Sequence, residues 1–537
     1  MTSQASHMIL DRRSLLAGSG AAGMLALASH AVRAQEGRMS HTPVVETTAG
    51  KVAGAGNGPV HVFKGIPYGA PTAGSNRFMP PRKPTPWGGV RVATSYGPQC
   101  PQLPFPGLMP EEAIDLDRGP MSEDCLFLNV WTATLDANAR RPVMVWLHGG
   151  GFTVGSGGSV RYDGSNLARK REVVVVTINH RLNVLGFLDL AGIGGARYAD
   201  AVNVGMLDIV AALEWVRDNI ARFGGDPANV TVFGESGGGG KVSTLMAMPA
   251  AKGLFHRAIA QSGTALRQIA PEASATTARS LLAKLDIAAD KLEGLQTLPY
   301  ERILAALAEA KPPLPFAPVV DGRVLPRHPF DPDAPSISAE VPMLLGSNLT
   351  ESTFFANTPL DPIDDAALLA QVRRYTNLGE AEAARLIAVY KQSRPAADNT
   401  FIYQLISTDW WMTANVTAQA ERKAQTGRAY VYHFEKLTPV RDGKLRCPHT
   451  LEIAYVFDNI NLSLAVTGTG PDKQVLADKV SAMWAAFARS GDPSIPRLPW
   501  EPYTAQSRAT MILDDHPRME RDPNREERLA ISAVKWA

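Results

Sequence analysis

Val230-Thr231-Val232-Phe233-Gly234-Glu235-Ser236-Gly237-Gly238 joins an apolar run to a glycine-rich turn. Val230 to Phe233 reads as a strand buried on both faces, because it lacks the polar alternation of a half-exposed one. The pentapeptide Gly234–Gly238 is the one G-x-S-x-G match in the chain. By itself such a match is weak. Its setting strengthens it, since a strand precedes it and a proline-free run that reads as a helix follows. That strand–turn–helix order is what a nucleophile elbow requires. The serine would sit in a strained backbone conformation, and a Cβ at Gly234 or Gly238 would collide across the turn. A helix N-terminus under Ser236 would favour developing negative charge. The competing reading of Gly237 to Lys241 is a phosphate loop. It fails, because Glu235 stands where the first glycine belongs and Val242 where Ser or Thr belongs.

Outward from this turn, strands alternate with helices. Val143 to Leu147 and Val173 to Ile178 are further continuous apolar runs, and Ala258 to Ala260, Val341 to Leu345 and Tyr430 to Phe434 extend the series. Met206, Ile209, Val210, Leu213, Val216 and Ile220 recur at spacings of three and four, which predicts one apolar helical stripe. Leu476, Val480, Met483, Trp484 and Phe487 predict a second amphipathic helix near the C-terminus. Such alternation indicates an α/β fold with a mostly parallel central sheet.

The 537 residues carry 54 basic and 52 acidic side chains, a net charge of +2, and are 45% hydrophobic. That composition excludes a disordered chain. No Lys/Arg-rich block stands out, so no nucleic-acid footprint is expected. Division by a typical domain length gives three or four domains. No repeat or Gly/Ser linker divides the chain, however. Residues 1–34 read as an export signal, with Arg12–Arg13 ahead of a weakly apolar stretch and small residues around Ala34. Asp11 to Leu16 resembles a twin-arginine signal, departing from the usual pattern at Asp11 and Leu15. Met8 is an alternative start. The mature chain, 35–537, is then expected to be one catalytic domain, periplasmic or secreted, with no stable membrane anchor. Residues 270–340 and 357–400 read as helical, proline-punctuated insertions. Of the three cysteines, Cys100 and Cys125 bracket one loop and could pair in an oxidising compartment, which would stabilise the fold by about 3 kcal/mol. Cys447 has no evident partner.

A serine nucleophile needs oxyanion donors, a base and an orienting acid. His148-Gly149-Gly150-Gly151-Phe152 follows the Val143–Leu147 strand, and its glycines allow backbone N–H groups to turn toward a substrate carbonyl. Three histidines lie far enough downstream to follow an acid. His433 falls inside a strand and reads as structural, and His516 falls in a polar surface turn. His449 follows a strand in a loop, the best place for a mobile base. Glu351 lies just beyond the Val341–Leu345 strand, one carboxylate among many that position leaves open.

Further motifs identify a family. Val62 to Tyr68, Ser122 to Val130, Phe223 to Pro227 with Val230 to Gly238, Gly346 to Glu351, Cys447 to Glu452 and Phe487 to Pro493 resemble, segment by segment, the type-B carboxylesterases, relatives of cholinesterases and para-nitrobenzyl esterases. The resemblance runs from about residue 43 to 515. It implies an α/β-hydrolase fold whose helical insertions form a gorge, and a serine esterase acting on small-molecule esters through an acyl-enzyme. It implies a Ser236–His449–Glu351 triad, an oxyanion hole from Gly150, Gly151 and Gly237, and a Cys100–Cys125 disulfide. It calls for no metal or organic cofactor.

Several positions depart from the family pattern. Gly237 stands where alanine is usual, which predicts a roomier wall to the oxyanion hole. Thr350 and Ser352 replace an acidic residue and a glycine beside Glu351, and Thr450 replaces the glycine after His449. Lys241, where a small neutral residue is common, reads first as a solvated or salt-bridged lysine on the helix, and second as a charge favouring acidic substrates. Phe152, Lys241, Trp410 and Trp411 are the substrate-pocket candidates, the two tryptophans reading equally as core packing.

Overall fold

Alternate residues of each central strand supply two different cores. Val143, Val145 and Leu147 pack into one apolar cluster, while Met144 and Trp146 pack into the other, on the opposite face of the sheet. This is the reason the strand sequences read as unbroken apolar runs. The computed structural model describes residues 44–105, 107–110, 119–311 and 313–536. The expected export segment, residues 1–34, lies outside them.

The strands in chain order are β1 (Val45–Glu46), β2 (Lys51–Ala53), β3 (Ala55–Asn57), β4 (Val60–Pro67), β5 (Val90–Val92), β6 (Phe127–Thr132) and β7 (Arg141–Leu147). They continue with β8 (Val174–Ile178), β9 (Gly225–Glu235), β10 (Arg257–Gln261), β11 (Met343–Asn348), β12 (Ala429–Phe434), β13 (Ala509–Leu513) and β14 (Arg518–Arg521). β1, β2 and β5 form a small sheet. The large sheet has the order β14-β13-β12-β11-β10-β9-β7-β8-β6-β4-β3. Its middle, from β8 to β13, is parallel throughout, and antiparallel pairs close both margins. This is the expected α/β-hydrolase architecture. The predicted Val341–Leu345 run enters the sheet only at Met343, because Val341 is tied into the preceding turn by a 3.1 Å bond to the Ser338 carbonyl and Pro342 has no N–H for the ladder.

Helices cover both faces. The helix α1 (Val204–Asn219) buries Met206, Ile209, Leu213 and Val216 against one, and α2 (Gly237–Leu245) follows β9 directly. Residues 357–400 contain two helices, Asp365–Thr376 and Glu380–Ser393, ahead of α3 (Asn399–Thr408) and α4 (Ala414–Ala424). Short α5 (Leu451–Val456), long α6 (Asp472–Ser490) and α7 (Arg525–Lys535) complete the set used below. As predicted, α6 turns Leu476, Val480, Met483, Trp484 and Phe487 into the second core.

The implied Cys100–Cys125 bridge is not formed. Cys100, Cys125 and Cys447 are all free and buried. The Cys100 thiol beside Cys125, then burial, raises the Cys125 pKa. Cys100 Sγ also accepts the Leu182 N–H at 3.3 Å. The base of the loop is closed by backbone bonds instead, Gln99 N–H to Pro120 O at 2.9 Å and Ser122 N–H to Gln99 O at 3.0 Å.

Candidate active site

The sheet delivers Ser236 at the carboxyl end of its central strand. β9 stops at Glu235, α2 starts at Gly237, and Ser236 between them has φ 56° and ψ −124°. A non-glycine residue in that region costs of order 1–3 kcal/mol and persists only when its surroundings enforce it. Here they do: the Ser236 N–H donates to Gln261 O at 2.9 Å, and its carbonyl accepts from Gly240 at 3.0 Å. A Cβ on Gly238 would lie 1.9 Å from the Leu147 carbonyl, so the turn closes only with glycine there.

The Gly149–Gly151 loop leaves β7 beside this turn, with φ of 86° at Gly150 and 60° at Gly151. Its backbone rests against Gly237, where a Cβ would lie 2.1 Å from Gly151 O and 2.4 Å from its Cα. The expected roominess at Gly237 is therefore absent: the space an alanine methyl would fill is taken by the loop.

The histidine and its acid come from neighbouring strands. Glu351 follows β11, and its Oε1 accepts the Asn348 N–H at 2.7 Å. Its Oε2 lies 2.6 Å from His449 Nδ1, with both side chains buried. Thr450, replacing the family's glycine, adopts φ 74°, a region that favours glycine. Its hydroxyl accepts from buried Arg161 at 3.1 Å. Phe354 and Trp411 enclose the imidazole, with ring centroids 5.1 and 5.0 Å away. The structure thus joins Glu351 to His449, and leaves Ser236 outside that bond. His449 Nε2 lies 3.1 Å from Glu235 Oε1 and makes no hydrogen bond.

Electrostatics at this site are dominated by buried carboxylates. Burial disfavours the imidazolium of His449, but Glu235 and Glu351 outweigh it and lift its pKa to about 10. Glu452, buried and close to Glu351, is raised to about 7. It accepts from Asn348 at 2.7 Å and from Gln261 at 3.2 Å. Neither Glu235 nor Glu452 nor Phe354 was singled out from sequence. Glu235 had a signal, as the variable residue inside the pentapeptide.

A cavity of about 560 Å³ opens over Ser236 and Gly237, with Phe152, Trp411 and Met412 in its wall. Lys241 and Trp410 do not line it. Lys241 is buried, and its ammonium donates to the His148 carbonyl at 2.9 Å, so it is neither the solvated lysine nor the substrate-facing charge the sequence suggested. Burial lowers its pKa to about 7. The stacked imidazoles of His148 and His180 nearby are also lowered by burial, His148 to about 3. The two tryptophans part company at a π-helical turn, Asp409–Thr413, between α3 and α4. The wide turn leaves Trp410 against the second core and α7, while Trp411 reaches His449.

A serine held in this turn, on this order of strands, defines an α/β-hydrolase. The Carboxylesterase family profile matches residues 41–531, and the chain belongs to that family of ester hydrolases. It is 37% identical over 509 residues to the para-nitrobenzyl esterase of Bacillus subtilis, covering 93% of this chain and 100% of that one. With the phenmedipham hydrolase of Pseudarthrobacter oxydans it shares 34% identity, over 92% of this chain and 99% of that one. A solved carboxylesterase of Geobacillus stearothermophilus superposes with a TM-score of 0.78 at 37% identity, over 91% and 99% of the two chains.

Proposed function

We propose that the protein cleaves carboxylic esters by way of an acyl-enzyme on Ser236, with His449 as base and Glu351 as its orienting acid. The observation that carries this reading is the strained Ser236 turn on the floor of a cavity whose wall residue Trp411 packs on the imidazole of a Glu351–His449 pair 2.6 Å apart. Substrate entry displaces His449 Nε2 from Glu235 toward Ser236 Oγ, a contact that often forms only with substrate bound. The imidazole takes the hydroxyl proton as Oγ attacks the ester carbonyl, and the N–H groups of Gly150, Gly151 and Gly237 receive the oxyanion. The alcohol leaves with that proton, and water hydrolyses the acyl-enzyme by the same route. Glu351 holds the imidazole tautomer and stabilises its cation.

Residues 35–537 act as one catalytic domain in this reading, and export is part of it, resting on Arg12–Arg13 and the small residues before Ala34. In an oxidising compartment the neighbouring thiols of Cys100 and Cys125 are placed to pair. A fluorophosphonate probe followed by peptide mass analysis tests the chemistry. Labelling of Ser236, and loss of at least about 10⁴-fold in kcat in Ser236→Ala, are expected. A fully active Ser236→Ala enzyme refutes it.

A further inference from the structure

If Lys241 is buried behind the oxyanion loop, the charge that meets a substrate must come from elsewhere. Only three charged side chains line the cavity over Ser236 among the described residues, and two are arginines: Arg267, Asp331 and Arg422. Asp331 bridges the pair, with Oδ2 2.7 Å from Arg267 Nη1 and Oδ1 3.2 Å from Arg422 Nη2. Arg422 is fixed further by donating to the Phe330 carbonyl. One carboxylate between two guanidinium groups leaves a net positive charge on this wall.

The donors match that charge. Each guanidinium carries five N–H groups. Arg267 gives one to Asp331; Arg422 gives one to Phe330, and its Nη2 lies 3.2 Å from Asp331 in an ion pair. The rest have no acceptor among the described residues. The two arginines differ in access. The Arg422 side chain is 25% exposed, within the cavity wall, and that of Arg267 is 68% exposed, at the mouth. Two of the neutral polar neighbours are occupied: Gln268 Nε2 donates to Thr244 at 2.7 Å and Asn415 Nδ2 to the Trp411 carbonyl at 2.7 Å. The same cavity is lined by apolar Phe152, Ala265, Leu266, Trp411 and Met412, with the hydroxyls of Ser262 and Thr264 among them.

An apolar chamber with a serine on its floor and a planar, fork-shaped cation pair on its wall suits a ligand with an ester at one end and a carboxylate at the other. We propose that Arg267 and Arg422, pre-set by Asp331, form an anion-recognition site that directs the enzyme to half-esters of aliphatic dicarboxylic acids. The inference rests on the esterase reading above and names its substrate class. The remote carboxylate docks on the arginines, the methylene spacer crosses the apolar wall, and the ester carbonyl meets Ser236.

The test compares mono-(4-nitrophenyl) esters of glutaric, adipic and suberic acids with neutral 4-nitrophenyl esters of equal chain length. The wild-type enzyme should favour the anionic member of at least one pair by about tenfold in kcat/KM, the worth of one charge-assisted contact. The preference should shrink in 0.5 M salt. Arg267→Gln/Arg422→Gln should lower the anionic-to-neutral ratio by about that factor. Asp331→Asn, which removes the competing carboxylate, should raise it, an outcome that misfolding cannot imitate. Neutral esters cleaved with no preference for the anionic partner at any spacer length, or a ratio unmoved by both variants, overturn the inference alone. No nitrophenol release from either series overturns the esterase reading and the inference with it.

Discussion

Lys241→Met separates what the buried ammonium does for activity from what it does to stability. The ammonium donates to the His148 carbonyl at 2.9 Å, directly before the Gly149–Gly151 loop, and the Glu235 carboxylate offsets only part of the cost of burying it. Lowering its pKa from 10.5 to about 7 corresponds, at ~1.4 kcal/mol per unit, to about 5 kcal/mol against the charged form. Methionine removes that penalty, and with it a charged hydrogen bond worth about 1.5–3 kcal/mol. At pH 6 the variant should therefore be at least as stable as the wild type, by about 2 kcal/mol. The sign changes with pH in a defined way. The folded pKa lies below the unfolded one, so the unfolded chain holds the extra proton between pH 7 and 10.5. Wild-type stability rises across that window and the variant's does not, so the gap closes. Activity should move the other way. Without its tether the Gly149–Gly151 loop, proposed to supply the oxyanion donors, loosens, and kcat should fall about 10- to 100-fold, less than removal of a donor outright, with KM little changed. Urea unfolding at pH 6 and 9, with steady-state hydrolysis of 4-nitrophenyl butyrate, reads both quantities. A variant that keeps wild-type kcat, or loses more than about 2 kcal/mol at pH 6, refutes the reasoning.

In the proposed mechanism His449 takes a proton only when neutral, and its pKa is lifted to about 10, so kcat/KM should climb through the alkaline range. Glu235→Gln should move that rising limb down by about one pH unit or more, and an unmoved limb in the pH–rate profile rules out the carboxylate as its cause. Gly237→Ala must displace Gly151, so kcat should drop about 10- to 100-fold while the near-UV circular dichroism is retained; full activity contradicts the contact. Arg181 and Asp208 form a buried bidentate pair at 2.8 and 2.7 Å, and Asp208→Ala should lower the urea-unfolding free energy by about 3–5 kcal/mol by stranding the guanidinium.

The parallel centre is legible in the sequence because burial on both faces leaves Val143–Leu147 of β7 wholly apolar and β8 with Thr177 as its one polar residue. The margins were less so. β4 carries His61, Lys64 and Gly65 and shifts register between Phe63 and Ile66, and β14, at the sheet edge, is a four-residue strand that begins and ends in arginine. Ser236 was readable from its local setting. His449 and Glu351 needed the family resemblance, since local spacing says nothing about which of several loops a sheet brings together. Lys241 was misread because helix position alone cannot reveal that a neighbouring loop covers it. The same loop contact reversed the expectation at Gly237. Glu235 escaped notice because its partner, His449, lies more than two hundred residues away.

Trp536, just beyond α7, stands in the wall of the cavity over Ser236, and Lys535 beside it anchors to the Trp410 carbonyl. The position puts the bulk of one indole beside whatever occupies that cavity. Trp536→Ala would enlarge the chamber on this side without touching Ser236, Glu351 or His449. Enzymes differing only at this residue would therefore rank bulky esters differently.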